Sequence, residues 1–147
     1  MYLLDTNVIS ELRKKERMNP GVARFVTQAQ AQGSVCYLSV ITLGELRRGI
    51  DLIYHRGDQE QATILERWLT TVLEEYSEQI LDFGREEAQL WGHLRVPHPE
   101  NALDKQIAAT ALIHDLILVT RNTKDFQSTR VKLYNPFDTT TSPPTPP

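Results

Sequence analysis

Short apolar runs, separated by longer amphipathic stretches, are the feature of this 147-residue chain that most limits its fold. YLL at the start, VCYLS at 35–39 and LILVT at 116–120 are apolar almost throughout. Strands of this kind are buried on both faces, which is typical of a parallel sheet covered by helices. The intervening stretches have the spacing of amphipathic helices. We therefore predict an α/β fold, a three-layer sandwich with a central, mainly parallel sheet flanked by helices.

The same patterns predict the element boundaries and the extent of the domain. Helices are expected at about 8–15, 20–32, 41–54, 59–76, 85–94 and 102–114, with further strands at 80–81 and 131–135. Pro20 suits the first turn of the second helix, and Pro97 and Pro99 interrupt the chain before the last one. We expect one domain over residues 1–137, followed by a disordered Pro/Thr-rich tail over residues 138–147.

Composition excludes several classes of protein. The net charge of −3 gives no overall basic field, so any nucleic-acid contact must rely on local patches. The single cysteine, Cys36, lies in VCYLS and is expected to be buried; it offers neither a disulfide framework nor a zinc quartet. The start of the chain has no signal-peptide pattern, and no apolar stretch is long enough to span a bilayer. We expect a cytoplasmic protein without a membrane association.

Carboxylates recur where a parallel sheet would place a ligand. Asp5 directly follows the first strand, and Asp125 lies five residues past Thr120, the end of LILVT. Segments just past the carboxyl ends of strands line the ligand crevice of an open α/β sheet. Glu45 lies one turn past the second strand, and Asp104 begins a helix; both lie on or beside a core-facing stripe, where a carboxylate is costly unless a cation meets it.

Each of these acids also has a simpler explanation. Asp5 is a good helix cap, Asp104 suits the positive end of its helix, Asp125 fits a solvated turn, and Glu45 can pair with Arg48. These alternatives explain the acids singly but not their convergence on one edge of the sheet. Clustered carboxylates raise one another's pKa unless a cation compensates, and Mg²⁺ or Mn²⁺ suits an all-oxygen site.

Four motifs in order carry a resemblance to a known family. LLDTNV, LGEL, DKQIAATA and LVTRNTKDF resemble the motifs of PIN-domain ribonucleases, and more closely those of the VapC-type toxins of toxin–antitoxin pairs, including the FitB-like branch. The resemblance covers about the first 137 residues. One departure is the segment HLRVPHPENALD, which is short on the approach to Asp104 and leaves the shape of the groove wall open.

The resemblance implies both an activity and a set of site residues. It implies a divalent-metal-dependent endoribonuclease, with Mg²⁺ or Mn²⁺ activating a water for phosphodiester hydrolysis. It also implies a cognate antitoxin, a homodimer, and contact with DNA only through the antitoxin. The metal-binding and catalytic acids would be Asp5, Glu45, Asp104 and Asp125. Thr6 and Asn122 match polar positions that help to bind metal water or substrate.

Other polar residues are assigned from the sequence itself. Arg121 and Lys124 flank the Asn122–Asp125 turn and are candidates for phosphate contacts, with a solvated loop as the alternative. The basic run RKKER at 13–17 is interpreted as a solvated helix end that complements the helix dipole. Arg47 and Arg48 are available to pair with local acids. The histidines show no ligand spacing and are interpreted as structural or surface residues: His55, His93, His98 and His114.

Three other functions compete with that of a metal-dependent ribonuclease. A phosphatase of the haloacid dehalogenase type needs a second aspartate two positions after the first, where this chain has Asn7. A nucleotide-binding Rossmann module needs GxGxxG, which is absent. The remaining rival is a binding module, a dimeric antitoxin partner in a DNA-bound regulatory complex with weak or no nuclease activity.

Overall fold

A five-stranded sheet forms the centre of the protein, for which a computed structural model describes residues 1–142. The strand order is β3-β2-β1-β4-β5, and every pairing is parallel. The strands are β1 Tyr2–Leu4, β2 Cys36–Ser39, β3 Ile80–Leu81, β4 Ile117–Val119 and β5 Leu133–Tyr134. The chain builds outward from β1 to β3 on one side and then continues at β4 on the other. β1 and β4 therefore flank the point where the order reverses, the usual place of a ligand crevice in such sheets.

Helices cover the sheet on both faces, as the three-layer prediction requires. The helices are α1 Thr6–Leu12, α2 Pro20–Ala31, α3 Val40–His55, α4 Gln59–Glu75, α5 Arg85–Leu94 and α6 Ala102–Ile113, with 3-10 turns at Lys15–Arg17 and Thr123–Thr129. Alternate residues of β1 enter separate cores: Tyr2 and Leu4 pack with Val8 and Phe25, while Leu3 packs with Ile107 of α6. The period of two along a strand thus divides the apolar residues between two helical layers.

The predicted strands and helices are all present, and most boundaries agree within a few residues. Helix α1 begins two residues earlier than expected, at Thr6, because the Asp5 side chain accepts a hydrogen bond from the Thr6 amide and caps the helix. It also ends early, at Leu12, so only Arg13, its C-cap, belongs to the helix end predicted for the basic run at 13–17; residues 15–17 form a separate 3-10 turn.

Cys36 departs from the expectation of a fully enclosed side chain. It is half-buried and lines an apolar cavity of about 220 Å³ between α1, α2 and the end of α4. Burial nevertheless raises the pKa of the Cys36 thiol to about 11, so little reactive thiolate forms at neutral pH.

The end of the chain carries no strand or helix between residues 138 and 142. Asp138 organises a turn there by accepting hydrogen bonds from the Thr140 amide at 3.0 Å and the Thr140 hydroxyl at 2.6 Å. Residues 143–147 of the predicted tail lie outside the described residues. The domain boundary at residue 137 therefore stays a prediction. None of the helices in residues 1–142 has the length and apolar character needed to cross a membrane.

Candidate functional site

Asp5 is held at the carboxyl end of β1 by a network of hydrogen bonds. Its side chain is 4% exposed, and it accepts from the Thr6 amide at 2.8 Å and the Thr120 hydroxyl at 2.8 Å. The Asn7 amide donates a third bond at 3.3 Å. Burial raises the pKa of Asp5 despite these bonds, and the charge of Asp125 raises it further. Asp5 is thus both the cap of α1 and a member of an acidic site, so the two explanations are compatible.

Glu45 reaches the same edge from α3. The helix begins after Ser39, whose hydroxyl caps it, so Glu45 lies little more than one turn beyond β2. The buried face of α3 carries Thr42 and Leu46, and Glu45 is half-buried beside it. Its carboxylate accepts from the Thr6 hydroxyl at 3.0 Å and forms no ion pair with Arg48. Burial, then the charge of Asp5, raises the pKa of Glu45.

Asp104 is an acid of the site whose carboxylate has no polar partner among the residues that the structure describes. It lies in the first turn of α6, on the side of the buried residues Ile107 and Ala108, and it is half-buried. Within residues 1–142 its carboxylate accepts no hydrogen bond and forms no ion pair. Burial raises its pKa to about 6, and the charges of Asp5, Asp125 and Glu45 act in the same direction. These four carboxylates, which we call the acidic cluster, therefore share one region at the carboxyl edge of the sheet.

The turn after β4 carries the remaining predicted residues. Asp125 is half-buried in the 3-10 turn, and its amide donates to the Asn122 carbonyl at 3.1 Å. The side chains of Asn122 and Lys124 are exposed and make no hydrogen bond within the described part of the chain. Arg121 is exposed, with its guanidinium 4.5 Å from the centre of the Phe137 ring. Of the proposed substrate-binding residues, Arg121, Asn122 and Lys124 are thus exposed in the turn after β4, whereas Thr6 contacts Glu45.

The short segment before Asp104 is fixed by contacts at several points. The Trp91 indole donates to the Ala102 carbonyl at 2.9 Å, and the Arg95 guanidinium donates to the Pro99 carbonyl at 3.2 Å. Lys105, only 1% exposed, donates from Nζ to the carbonyl of His98. The shape that the sequence left open is thus a pinned turn that leads into α6.

Two residues of the site were missed by the sequence interpretation. Thr120 directly follows β4 and donates to Asp5. The Asn7 side-chain amide donates to both Asp5 and Thr120, while its side-chain oxygen accepts from the Arg121 backbone amide at 3.1 Å. The sequence signal that could have identified these two residues is their position next to the strand ends. Thr120 is a hydroxyl residue at the end of an apolar strand, and Asn7 lies two residues past Asp5. Together they join the ends of β1 and β4.

The donor set is compatible with a divalent cation that keeps water ligands. No three Asp, Glu, His or Cys side chains within residues 1–142 are placed to hold one ion together. Mg²⁺ is commonly bound through one or two carboxylates while it retains several waters. Uncompensated Asp104, with the charges of the other acids acting on it, supplies oxygen donors of that kind.

Other charged residues are used elsewhere. Arg47 pairs with Glu66 at 2.6 Å and with Asp51 at 3.3 Å, which confirms the expected local pairing for Arg47. His114 lies 3.4 Å from Glu87, and His98 lies 3.6 Å from Glu100. These contacts agree with structural or surface roles for the histidines.

Comparison with known proteins identifies the family. Residues 2–132 match the family model of the PIN domain, and the chain belongs to this family. Toxin FitB of Neisseria gonorrhoeae is 33% identical over 142 residues, covering 93% of this chain and 99% of that protein. VapC ribonuclease Y4jK of Sinorhizobium fredii is 29% identical over 143 residues, covering 94% and 99%. The solved structure of FitAB bound to an IR36 DNA fragment is 30% identical with a TM-score of 0.77, covering 94% of this chain and 96% of that one. The resemblance to VapC- and FitB-like proteins is confirmed.

Proposed function

We propose that this protein is a divalent-metal-dependent endoribonuclease that acts as the toxin of a type II toxin–antitoxin pair. The observation that carries the proposal is the acidic cluster at the reversal point of the sheet, with Asp104 half-buried and without a partner. Membership of the PIN-domain family and similarity to a VapC ribonuclease support the same activity. A site that is costly in isolation becomes favourable once a cation enters.

The four acids differ in the metal-binding role that we assign to each. Asp5 and Asp104 are the strongest candidates for direct ligands of Mg²⁺ or Mn²⁺, with Glu45 and Asp125 binding directly or through water. Such an ion supplies an activated water and stabilises the charge that develops at phosphorus and at the leaving oxygen. Thr120 and Asn7 orient the Asp5 carboxylate, and the Thr6 hydroxyl orients Glu45.

Substrate binding falls to residues at the rim of the acidic cluster. Arg121 and Lys124 would contact phosphates of the strand, and Thr6 and Asn122 would bind metal water or substrate. An accessible single-stranded region of RNA suits this site better than a duplex, whose deep major groove excludes side chains.

A cytoplasmic nuclease of this kind requires a partner that blocks it. The cognate antitoxin would extend a cation toward the acidic cluster and displace metal or substrate. Arginine suits that role because its planar guanidinium binds carboxylates bidentately and stays charged. We further propose a homodimer, with DNA contacted only through the antitoxin.

Metal-dependent cleavage of RNA by the purified protein tests this function. Asp104→Asn removes the charge with little change in shape, and Asp115→Asn makes the same change at an exposed residue that precedes β4, at the opposite edge of the sheet. We expect cleavage in Mn²⁺ and none in chelator, with Asp104→Asn slower by about 100-fold or more because metal stabilisation is worth several kcal/mol. Equal cleavage by both variants would refute the assignment of Asp104.

A binding module in a DNA-bound regulatory complex is the second candidate. It is favoured by the 30% identity to a chain in the solved structure of FitAB bound to a DNA fragment. Absence of metal-dependent cleavage, together with operator binding by the chain and its antitoxin, would establish this function in place of the first.

A further inference from the structure

A cluster of basic side chains follows α1, the helix that Asp5 caps, and has no role in the function proposed above. Residues 13–17, RKKER, form what we call the basic turn, in which four cations and one acid give a net charge of +3 in a chain whose total is −3. All five side chains are exposed. Concentrated positive charge on an acidic protein favours a local anionic partner.

The basic turn is held in a fixed shape. Helix α1 stops at Leu12, and the Arg17 amide closes a turn by donating to the Lys14 carbonyl at 3.1 Å. Beneath the turn lies Glu11, which is 7% exposed and accepts from Lys14 Nζ at 3.0 Å and from the Asn19 amide at 2.9 Å. A single buried carboxylate thus ties both ends of the turn to the body of the protein.

Pairing with Glu11 uses only one of the cations. Lys14 is matched by that carboxylate, whereas Arg13, Lys15 and Arg17 form no ion pair within residues 1–142. Arg13 is the C-cap of α1, so its charge lies at the negative end of the helix dipole, whereas Lys15 and Arg17 lie beyond the helix. Three exposed charges are therefore available to a ligand.

Contacts through Arg121 connect the basic turn to the acidic cluster. The Arg121 charge acts on Glu11, and the Arg121 amide donates to Asn7, which in turn donates to Asp5. The guanidinium of Arg121 stacks on the Phe137 ring, 4.5 Å from its centre. A polyanion whose reacting phosphate lies at the acidic cluster would therefore pass Arg121 and reach the basic turn.

We infer that the basic turn, with Arg121, binds the phosphate backbone of the single-stranded RNA whose scissile bond lies at the acidic cluster. This inference rests on the proposed nuclease function and identifies the surface that holds the strand. Arginine and lysine contacts to phosphates position a strand without reading its sequence. Each such contact on a single strand contributes about 0.7 to the slope of log affinity against log salt concentration.

The test compares two triple variants with the same net charge. Arg13→Gln/Lys15→Gln/Arg17→Gln removes the free cations of the turn, and Arg56→Gln/Arg67→Gln/Lys132→Gln removes three exposed cations elsewhere. Both variants change the net charge from −3 to −6 through the loss of three positive charges. Each is combined with Asp104→Asn to prevent cleavage, and its affinity for a short single-stranded RNA is measured in Mg²⁺ across a range of salt concentrations.

We expect the turn variant to bind roughly tenfold or more weakly at physiological salt, with a salt slope smaller by about 2, while the control changes little. Equal slopes for both variants would overturn the inference, as would loss of antitoxin binding by the turn variant with RNA binding intact. Cleavage by the protein without these substitutions is measured separately. Cleavage together with equal slopes would refute the RNA-binding role of the basic turn but not the nuclease function. A change in slope without cleavage would refute the nuclease function but not RNA binding by the basic turn.

Discussion

Asp5 and Asp104 belong to the same acidic cluster, but hydrogen bonds within the described part of the chain stabilise the carboxylate of Asp5 and not that of Asp104. Asp5 is almost fully buried and accepts hydrogen bonds from Thr6, Asn7 and Thr120. Asp104 is half-buried and accepts none within residues 1–142, and its pKa is raised to about 6. The difference indicates that the fold supports Asp5 as part of its own structure, whereas Asp104 is placed for something that binds. Substitutions at the two positions should therefore have opposite effects on stability but similar effects on function.

The largest expected effect is on growth of cells that express the chain without its antitoxin. We expect arrest by the wild type and by Asp115→Asn, but none by Asp5→Asn or Asp104→Asn. The inactive variants should still be recovered with the antitoxin when the two are expressed together, which shows that they fold. Colony counts after induction measure the effect. Arrest by all of the variants would show that hydrolysis at the acidic cluster is not the cause.

Removing the compensated acid should unfold the protein more easily. Asp5→Ala deletes the cap of α1 and leaves the buried Thr120 hydroxyl and the Asn7 amide without their acceptor. We expect a loss of about 2 kcal/mol in the free energy of unfolding, measured with urea in chelator at neutral pH. A variant as stable as the wild type would show that relief of buried charge outweighs these hydrogen bonds, and the contrast with Asp104 would disappear.

Removing the uncompensated acid should instead stabilise the metal-free protein. The pKa of Asp104 is higher in the folded chain than its ordinary value of 3.8, so the folded state binds more protons between pH 3.8 and about 6. Stability contributed by protonated Asp104 is then present below this window and lost as pH rises through it. We expect Asp104→Asn to gain about 1 kcal/mol at pH 7, after allowing for solvent screening, and nothing near pH 4.

The matched control for that comparison is Asp115→Asn, at an exposed residue. Urea titrations of both variants at several pH values separate an effect of the acidic cluster from a general effect of net charge. A gain of the same size and pH dependence in the control would remove the special status of Asp104. Loss of stability in Asp104→Asn would instead support a purely structural role at the start of α6.

Much of the fold could be predicted because its sequence signals are local. Continuous apolar runs such as LILVT are typical of buried strands in a covered sheet, and the strand ends then locate Asp5 and Asp125. Asp104 and Glu45 could be predicted as site residues because each is a carboxylate on or beside the core-facing stripe of a predicted helix. The structure confirms the strands and the parallel pairing, and the charges of Asp5, Asp125 and Glu45 act on Asp104.

The remaining features depend on contacts between distant parts of the chain. Thr120 meets Asp5 only because β4 pairs with β1, a pairing between residues 115 positions apart in the sequence. From the sequence, Lys105 is expected to be an exposed polar residue of a helix. In the structure it is buried, and its Nζ donates to the carbonyl of His98 in the segment before α6. Neither of these could be obtained from periodicity, which describes one element at a time.

Calorimetric titration with Mn²⁺ at pH 6 tests most directly whether Asp104 binds a metal ion. Near its pKa Asp104 is about half protonated, so binding should release a fraction of a proton, detected as a heat that varies with the ionisation enthalpy of the buffer. The account predicts saturable binding with this proton release in the wild type and in Asp115→Asn, and its loss in Asp104→Asn. No binding, or the same proton release in Asp104→Asn, would contradict the assignment of the acidic cluster as a metal site.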